Sequence, residues 1–200
     1  MSDTDSLLVG NRVCLRPFAA NDVEGVFAYA SSPLVTRYLE WEPHRSLADS
    51  ARFITGARRR ATEGCSTFAI EQYGTGNILG ACELRIVDPI HRIGELGYAL
   101  APSYWGQGYN IEAGTLLLDY GFAGLHMLRI QGLCDVDNRR SFRTMEKLGM
   151  VRERLLPRYR WRDGHYVDRY LYSILWREWA RLSATRERAD AARSTAARLP

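Results

Sequence analysis

Short alternations of apolar and polar residues recur along the chain, a pattern typical of half-buried β-strands. The predicted strands cover residues 12–17, 68–72, 78–87, 95–101, 128–136, 151–159 and 166–175. Two pairs of these strands are joined by turn sequences, Gly74-Thr75-Gly76-Asn77 and Asp163-Gly164, which predict hairpins. The alternation therefore indicates a sheet built largely from sequential, antiparallel neighbours.

Helical periodicity fills the intervals between these strands. Helices are predicted to begin near residues 21, 33, 46, 109 and 138. Asn21-Asp22-Val23-Glu24 has the form of a capping box, and Gly149 stands where a helix ends in a left-handed glycine. This order of elements predicts an α+β fold, with a mixed, mostly antiparallel central sheet flanked by helices.

Length and composition predict one domain over residues 1–179. The chain has 200 residues, of which 46% are hydrophobic and 25% charged, as in soluble globular proteins. After Trp179 the sequence becomes rich in Ala and Arg, so residues 180–200 are predicted to be a frayed or disordered tail. No apolar run is long enough to span a membrane, and Met1-Ser2-Asp3-Thr4-Asp5 is unlike a signal peptide. These features predict a cytoplasmic protein.

Charge and cysteine content exclude several kinds of site. The formal net charge is +4, and residues 177–200 supply +3 of it through six arginines and three acids. The rest of the chain is nearly neutral, which argues against a nucleic-acid-binding face. The four cysteines lack C-x-x-C spacing or a neighbouring His, so we expect no metal site. Lys147 is the only lysine beside 26 arginines, as in GC-rich bacteria.

The densest candidate chemistry lies between Glu95 and Ala113. A strand ends at Pro102, the chain turns through Gly106 and Gly108, and a helix begins at Tyr109. Glycines let the backbone approach a ligand closely, and the free N–H groups at a helix start attract phosphate. The pattern predicts a phosphate-binding turn.

A second motif lies downstream, running from Asn138 to Met150, with Asn138 as a helix cap. Together with Glu95 and the turn Tyr104-Trp105-Gly106-Gln107-Gly108-Tyr109, this motif resembles the GNAT (Gcn5-related) N-acetyltransferases. The nearest likeness is to the RimJ/RimL-like branch, which acetylates the N-terminal amines of ribosomal proteins. The resemblance covers about residues 7–179. It departs from the pattern at Asn110, where the branch usually has Ala, and at Met145, where many members have a Tyr.

The resemblance implies acetyl-CoA as the acyl donor, with succinyl-CoA or another acyl-CoA as an alternative, and no metal. It also implies that the strands at Glu95 and Ile130 splay apart and that the pantetheine arm lies between them, paired like a strand with the backbone. The donor-binding residues implied are Tyr98, Ala99, Leu100, Trp105, Gly106, Gln107, Gly108, Tyr109, Asn110, Ile111, Asn138 and Ser141. A backbone N–H near Ala99 would stabilise the oxyanion.

Two catalytic residues are implied by the same resemblance. Glu95 matches the acid that many members use as general base, often through water; the alternative is an edge carboxylate paired with Arg85 or Arg92. Ser141 matches a serine that contacts the CoA sulfur; the alternative is a local hydrogen bond at a helix start. In the segment that borders the acceptor pocket of this branch, Trp41 and Glu40 are the candidate acceptor residues. Trp41 equally suits core filling, and Glu40 suits a cationic acceptor.

The chemistry of amines favours a protein N-terminus as acceptor. An α-amine with a pKa near 7.7–8.0 is roughly one-tenth neutral at pH 7, whereas a lysine amine is neutral at about 0.04%. A modest base therefore suffices to deprotonate an α-amine. A small amine (polyamine, aminoglycoside-like drug or amino sugar) is the rival acceptor. A catalytically inactive CoA-binding regulatory module is the rival from another class, and a homodimer is left open.

Overall fold

The computed structural model describes residues 7–196, with side chains to residue 189. The opening Met1 to Asp5, predicted not to be a signal peptide, and residues 197–200 of the predicted tail lie outside the described residues. The strands are β1 (Leu8–Val9), β2 (Val13–Pro17), β3 (Cys65–Gln72), β4 (Ile78–Asp88), β5 (Ile93–Leu100), β6 (Arg129–Asp135), β7 (Val151–Arg162) and β8 (His165–Leu175). The helices are α1 (Val23–Ala30), α2 (Pro33–Thr36), α3 (Leu47–Arg60), α4 (Tyr109–Asp119), α5 (Arg139–Lys147) and α6 (Trp176–Ala196).

The strands form one eight-stranded sheet in the order β1-β2-β3-β4-β5-β6-β8-β7. Every neighbouring pair is antiparallel except β5 and β6, which run parallel because α4 carries the chain from one to the other. This mixed, mostly antiparallel sheet flanked by helices confirms the α+β fold predicted from the sequence.

The parallel pair at the centre of the sheet separates after three residues. β5 and β6 pair at Ile93 with Arg129, Gly94 with Ile130, and Glu95 with Gln131. Beyond Glu95, β5 keeps its pairing to β4 as far as Leu100, while β6 keeps its pairing to β8 as far as Asp135. The strands therefore splay, as predicted, and the space between them toward their carboxyl ends is called the gap below.

Apolar side chains are buried on both faces of the sheet. On the face covered by α4 and α5, the core includes Leu96, Leu117 and Met145. On the face covered by α1 and α3, the core includes Val26 and Ile54. Because side chains alternate along a strand, β5 presents Leu96, Tyr98 and Leu100 to the α4 face, and Glu95 and Ala99 to the α3 face.

The structure differs from the sequence prediction at both ends. The segment predicted to be frayed or disordered from residue 180 is helical through Ala196, as part of α6. This helix docks because Trp179 stacks on Phe122, with ring centroids 5.3 Å apart, and donates its indole N–H to Asp119 at 2.7 Å. The capping box predicted at Asn21 and Glu24 is wrong: a turn of 3₁₀ helix occupies Ala20–Asp22, and the carboxylate of Asp22 accepts from the Ala19 N–H.

Candidate active site

The glycine turn is shaped by left-handed backbone at its two glycines. The φ angles are 76° at Gly106 and 84° at Gly108, which an L side chain rarely adopts. Behind the turn, the Arg12 guanidinium donates from Nη1 to the Gln107 carbonyl at 3.0 Å. Since the C=O and N–H of a trans peptide point in opposite directions, this bond turns the Gly108 N–H away from Arg12. The turn is thus preorganised for an anion.

Arg12 is itself held by the first turn of α4. Glu112 accepts from the Arg12 backbone N–H at 2.6 Å and from Nε at 3.0 Å. Burial pushes the pKa of Glu112 upward, but the hydrogen bonds and charge of Arg12 outweigh it and hold the pKa below its usual range. The carboxylate stays ionised yet neutralised by Arg12, so it does not oppose an anion bound at the turn.

Asn110 contributes an unpaired polar atom beside the turn. Its Oδ1 is buried and has no hydrogen-bond partner among the described residues. Buried acceptors are nearly always satisfied, so this position suits a ligand or water that donates a hydrogen bond. The residue that departs from the family pattern therefore still presents a polar atom at the predicted site.

Trp105 joins the glycine turn to the end of β5. Its indole N–H donates to the Leu100 carbonyl at 2.7 Å, and the Arg140 guanidinium lies 4.6 Å from the ring centroid. Arg140 belongs to α5, on the β6 side of the gap, so the cation–π contact spans the gap at this level. The Leu100 carbonyl, predicted to face the donor, already accepts one hydrogen bond and keeps a second lone pair.

Tyr98 and Ser141 meet across the gap on the α4 face. The Tyr98 hydroxyl donates to the Ser141 carbonyl at 2.9 Å and lies 3.2 Å from Ser141 Oγ. Asn138 Oδ1 accepts from the Ser141 N–H at 3.2 Å, which confirms the predicted helix cap. Burial raises the pKa of Tyr98, so its hydroxyl keeps its proton at neutral pH. The sequence analysis assigned only the backbone of Tyr98 and missed this contact.

Met145 takes no part in this pair, because it packs inward. Its side chain is fully buried, and a Cβ on Gly132 would lie 2.7 Å from its Sδ. The phenol at the gap therefore comes from β5 rather than from α5.

The buried cysteines near the gap are poor nucleophiles. Burial, with the nearby Asp135 charge, raises the pKa of Cys134 to about 12, and burial likewise raises the pKa of Cys82. With these raised pKa values both thiols remain protonated at neutral pH. They react poorly because the thiolate, not the thiol, is the nucleophile. The geometry favours a direct reaction over a cysteine-linked intermediate.

Glu95 lies where the two strands begin to separate, on the α3 face. Its carboxylate accepts from Arg85 at 2.5 Å and from the Gln131 side-chain amide at 3.0 Å. The ion pair with Arg85 is the alternative considered from the sequence. At about 3.3 Å per residue, Glu95 is roughly 13 Å along β5 from Ala99. Proton transfer from that level to Glu95 requires intervening water.

A second carboxylate on the same face was missed by the sequence analysis. Glu83 on β4 pairs across the strands with Gly97, halfway between Glu95 and Ala99. The missing side chain at Gly97 leaves room for it, since a Cβ there would lie 3.4 Å from Glu83 Cγ. Only the cross-strand register, which the sequence does not show, brings Glu83 to this position.

The two candidate acceptor residues have different surroundings. Trp41 is half-buried and packs against His44 and Phe53, with ring centroids 5.3 and 6.4 Å away, so it fills the core of the α3 face. Glu40 is exposed and lies 3.3 Å from Arg169 and 3.4 Å from Arg160.

The described residues carry neither a membrane-spanning helix nor a metal-binding cluster. Within this part of the chain, no helix is long and apolar enough to cross a membrane. Nor do its His, Cys, Asp and Glu side chains form a group of three or more that could hold a metal ion.

Comparisons with known proteins agree with this architecture. Residues 12–151 match the family model for the acetyltransferase (GNAT) domain. The chain is 30% identical over 174 residues to the uncharacterized N-acetyltransferase p20 of Bacillus licheniformis, covering 86% of this chain and 98% of that protein. It is 27% identical to the spermidine N(1)-acetyltransferase of Escherichia coli K12, covering 77% of this chain and 81% of that protein.

The fold is also shared with solved structures. An acetyltransferase of the GNAT family from Bacillus anthracis superposes with a TM-score of 0.78 at 27% identity. The match covers 86% of this chain and 99% of that one.

Proposed function

Because the chain belongs to the GNAT acetyltransferase family, we propose that it transfers the acetyl group of acetyl-CoA to a primary amine that binds beside the gap. The observation that carries this proposal is the gap itself, where β5 leaves β6 after Glu95 and the preorganised glycine turn lies at its mouth. An acidic ligand with a long amide-bearing arm fits this combination: the turn takes the anion and the unpaired edge of β5 takes the arm.

The donor would lie along residues from both walls of the gap. In this proposal the pyrophosphate meets the backbone N–H groups from Gly106 to Asn110, beside Ile111, whose own N–H donates to the Gly108 carbonyl at 3.1 Å. The pantetheine amides pair with backbone groups of Tyr98 to Leu100. Asn138 contacts the pantetheine from the β6 side. Support comes from the left-handed glycines and the anchored Gln107 carbonyl. Succinyl-CoA or another acyl-CoA would use the same residues.

The reaction we propose is a direct transfer. The neutral amine nitrogen attacks the thioester carbon, and the carbonyl oxygen becomes an oxyanion. It accepts from a backbone N–H of β5 next to Ala99, at Tyr98 or Leu100, since these N–H groups face the gap while the Ala99 N–H faces β4. When the oxyanion collapses back to a carbonyl, the new C–N bond is kept and the C–S bond breaks. The thiolate leaves, and Ser141 Oγ donates a hydrogen bond to it. The proton released by the amine passes through water to Glu95. Tyr98 positions Ser141 through its contacts with the carbonyl and Oγ.

We propose a protein N-terminal amine as the acceptor, as in the RimJ/RimL-like branch. The Tyr-Trp-Gly-x-Gly-Tyr turn and Ser141 support this branch, and an α-amine suits a base that acts only through water. The likeness to a spermidine N(1)-acetyltransferase supports the rival, a small polyamine. The two acceptors differ sharply in charge, so a direct assay separates them.

The experiment is release of free CoA thiol from acetyl-CoA with N-terminal peptides, polyamines and amino sugars. Glu95→Gln and Ser141→Ala should each lower the turnover number, the latter by about 10²-fold. Glu83→Gln is the matched comparison, because it removes a carboxylate from the same face without touching the predicted base. A larger loss in Glu83→Gln than in Glu95→Gln would move the base to Glu83. Tight acetyl-CoA binding without turnover would favour a regulatory module.

A further inference from the structure

A group of charged side chains lies on the α3 face, beside the gap at the level of Ala99. Asp135 ends β6 four residues beyond Gln131, as Ala99 lies four residues beyond Glu95 on β5. Equal spacing from a paired position places the two residues level with each other and on the same face. Asp135 and its partners therefore border the point where acetyl transfer is proposed, on the side opposite Tyr98 and Ser141.

Arginines outnumber carboxylates in the buried part of this group. Asp135 Oδ1 accepts from Arg169 Nε at 2.9 Å, and its Oδ2 pairs with Arg162 Nη1. Side-chain exposure is 2% for Asp135, 8% for Arg169, 19% for Arg162 and 25% for Arg160. Two guanidinium groups thus share one buried carboxylate, and the partly buried Arg160 does not contact it, so the three arginines accept a further anion besides Asp135.

The further anion in this structure is supplied by the chain itself. Glu40 Oε1 lies 3.3 Å from Arg169 Nη1 and 3.4 Å from Arg160 Nη1, yet its side chain is 67% exposed. The same Arg169 guanidinium therefore bridges a buried carboxylate next to the gap and an exposed one at the surface. Asp163 reaches Arg162 at 3.8 Å, but it is 83% exposed, at the tip of the β7–β8 hairpin.

We propose that the acceptor amine carries a carboxylate close to it, and that this carboxylate binds Arg160 and Arg169 where Glu40 now lies. The inference rests on the proposed acetyl transfer and names the class of acceptor: an amine with a neighbouring acidic group, rather than a polycation. Guanidinium groups bind carboxylates through charge-assisted, often paired hydrogen bonds. A polyamine would instead meet three arginines whose carboxylate partners are already engaged.

Glu40 can either occupy the carboxylate site or bind a cationic acceptor, and the substitution Glu40→Gln changes kcat/KM in opposite directions in the two cases. If Glu40 occupies the carboxylate site, Glu40→Gln frees the arginines and should raise kcat/KM several-fold for an acidic acceptor. If Glu40 binds a cationic acceptor directly, the same substitution should lower kcat/KM for spermidine. Glu40 is exposed, so its substitution by the isosteric Gln leaves the fold intact.

The experiment measures CoA thiol release with amidated peptides that begin Ser-Asp, Ser-Asn and Ser-Lys, together with spermidine. Free serine and serine amide are added to distinguish an α-carboxylate from a side-chain carboxylate. The wild type should prefer Ser-Asp over Ser-Asn by about tenfold, as expected for a charge-assisted pair. Arg160→Gln should abolish that preference by lowering kcat/KM for the Ser-Asp peptide to the level of the Ser-Asn peptide. Arg154→Gln, at an exposed arginine of the same strand, should leave the preference unchanged.

The outcomes separate this inference from the proposed function. Absence of turnover with every acceptor would count against acetyl transfer itself. Turnover in which spermidine or Ser-Lys is preferred, or in which Glu40→Gln lowers activity with the Ser-Asp peptide, would overturn the acidic acceptor alone.

Discussion

The contact between Tyr98 and Ser141 is the residue-scale feature that most directly bears on the reaction. Ser141 Oγ lies 3.2 Å from the Tyr98 hydroxyl. We expect Tyr98→Phe to lower kcat by about threefold to tenfold, because one neutral hydrogen bond that orients the serine is lost. The KM for acetyl-CoA should change little, since the phenol has no proposed role in holding the nucleotide. Steady-state kinetics with varied acetyl-CoA measure both constants.

A double-mutant cycle tests whether the two residues act together. If Tyr98 acts only by orienting Ser141, adding Tyr98→Phe to Ser141→Ala should cost nothing further. Additive losses would instead show that the tyrosine acts on the substrate independently. Circular dichroism of each variant checks that the packing of Tyr98 against the core is kept.

At the scale of elements, the glycine turn is held by Arg12, the residue before β2, which binds both the turn and the first turn of α4. Arg12 → Ala removes the 3.0 Å hydrogen bond to the Gln107 carbonyl and leaves Glu112 without its cation. We expect the KM for acetyl-CoA to rise about tenfold, from the loss of preorganisation and the exposed negative charge, while kcat is largely kept. Isothermal titration with CoA gives the same loss as a change in Kd.

The matched variant separates charge from shape. Arg12→Ala combined with Glu112→Gln removes both charges but still lacks the carbonyl anchor. If the double variant recovers wild-type affinity, the effect of Arg12 is electrostatic, and the anchoring role is wrong.

The sequence predicted elements well where the determinants are local. Asn138 capped α5 as expected because its side chain needs only the N–H three residues later. The two-residue strand β1 was missed because so short a segment carries no alternation. The sequence predicted a frayed or disordered tail where α6 lies, because the docking of this helix depends on Trp179 meeting Phe122 and Asp119, about sixty residues earlier.

The candidate site follows the same rule: its local parts could be predicted from the sequence, and its long-range contacts could not. The glycine turn and its helix form one local motif, so its position in the sequence was sufficient. By contrast, the contacts of Arg12 with Gln107, Tyr98 with Ser141, and Arg169 with Glu40 join residues 95, 43 and 129 positions apart. Glu40, expected from its charge to suit a cation, faces arginines that only the closing hairpin supplies.

At the scale of the whole molecule, one ion pair ties three strands on the far side of the sheet. Arg129 of β6 binds Glu153 of β7 through two hydrogen bonds of 2.6 and 2.8 Å, and Ser173 of β8 donates to the same carboxylate. The Arg129 bonds lower the pKa of Glu153 to about 2, despite opposing burial. The folded state therefore binds this proton less readily than the unfolded state.

The stability from this pair should depend on pH in a defined window. It is fully present above the unfolded pKa of about 4.3 and is lost as the pH falls toward about 2. Urea unfolding should find the wild type more stable than Glu153→Gln by up to about 1 kcal/mol at pH 6, given the partial exposure of the pair. The difference should shrink by pH 3, and a difference that grows on acidification would contradict the ion pair.

The carboxyl-terminal helix decides whether the folded unit ends near residue 179, as the sequence predicts, or includes α6. Leu182 lies so close to Gly149 that a Cβ on the glycine would overlap it, and Arg186 pairs with Asp119 at 3.4 Å. Deleting residues 180–200 uncovers this part of the core and should cost about 2 kcal/mol, which lowers Tm by roughly 4–8 °C for a chain of this size. Deleting only residues 190–200 is the matched control and should leave Tm unchanged.

Equal Tm values for both truncations and the full chain would mean that the helix contributes nothing to the folded state and that the tail behaves as the sequence predicts. A drop confined to the longer deletion would instead make α6 part of the cooperative unit, because only contacts broken on unfolding contribute to the transition.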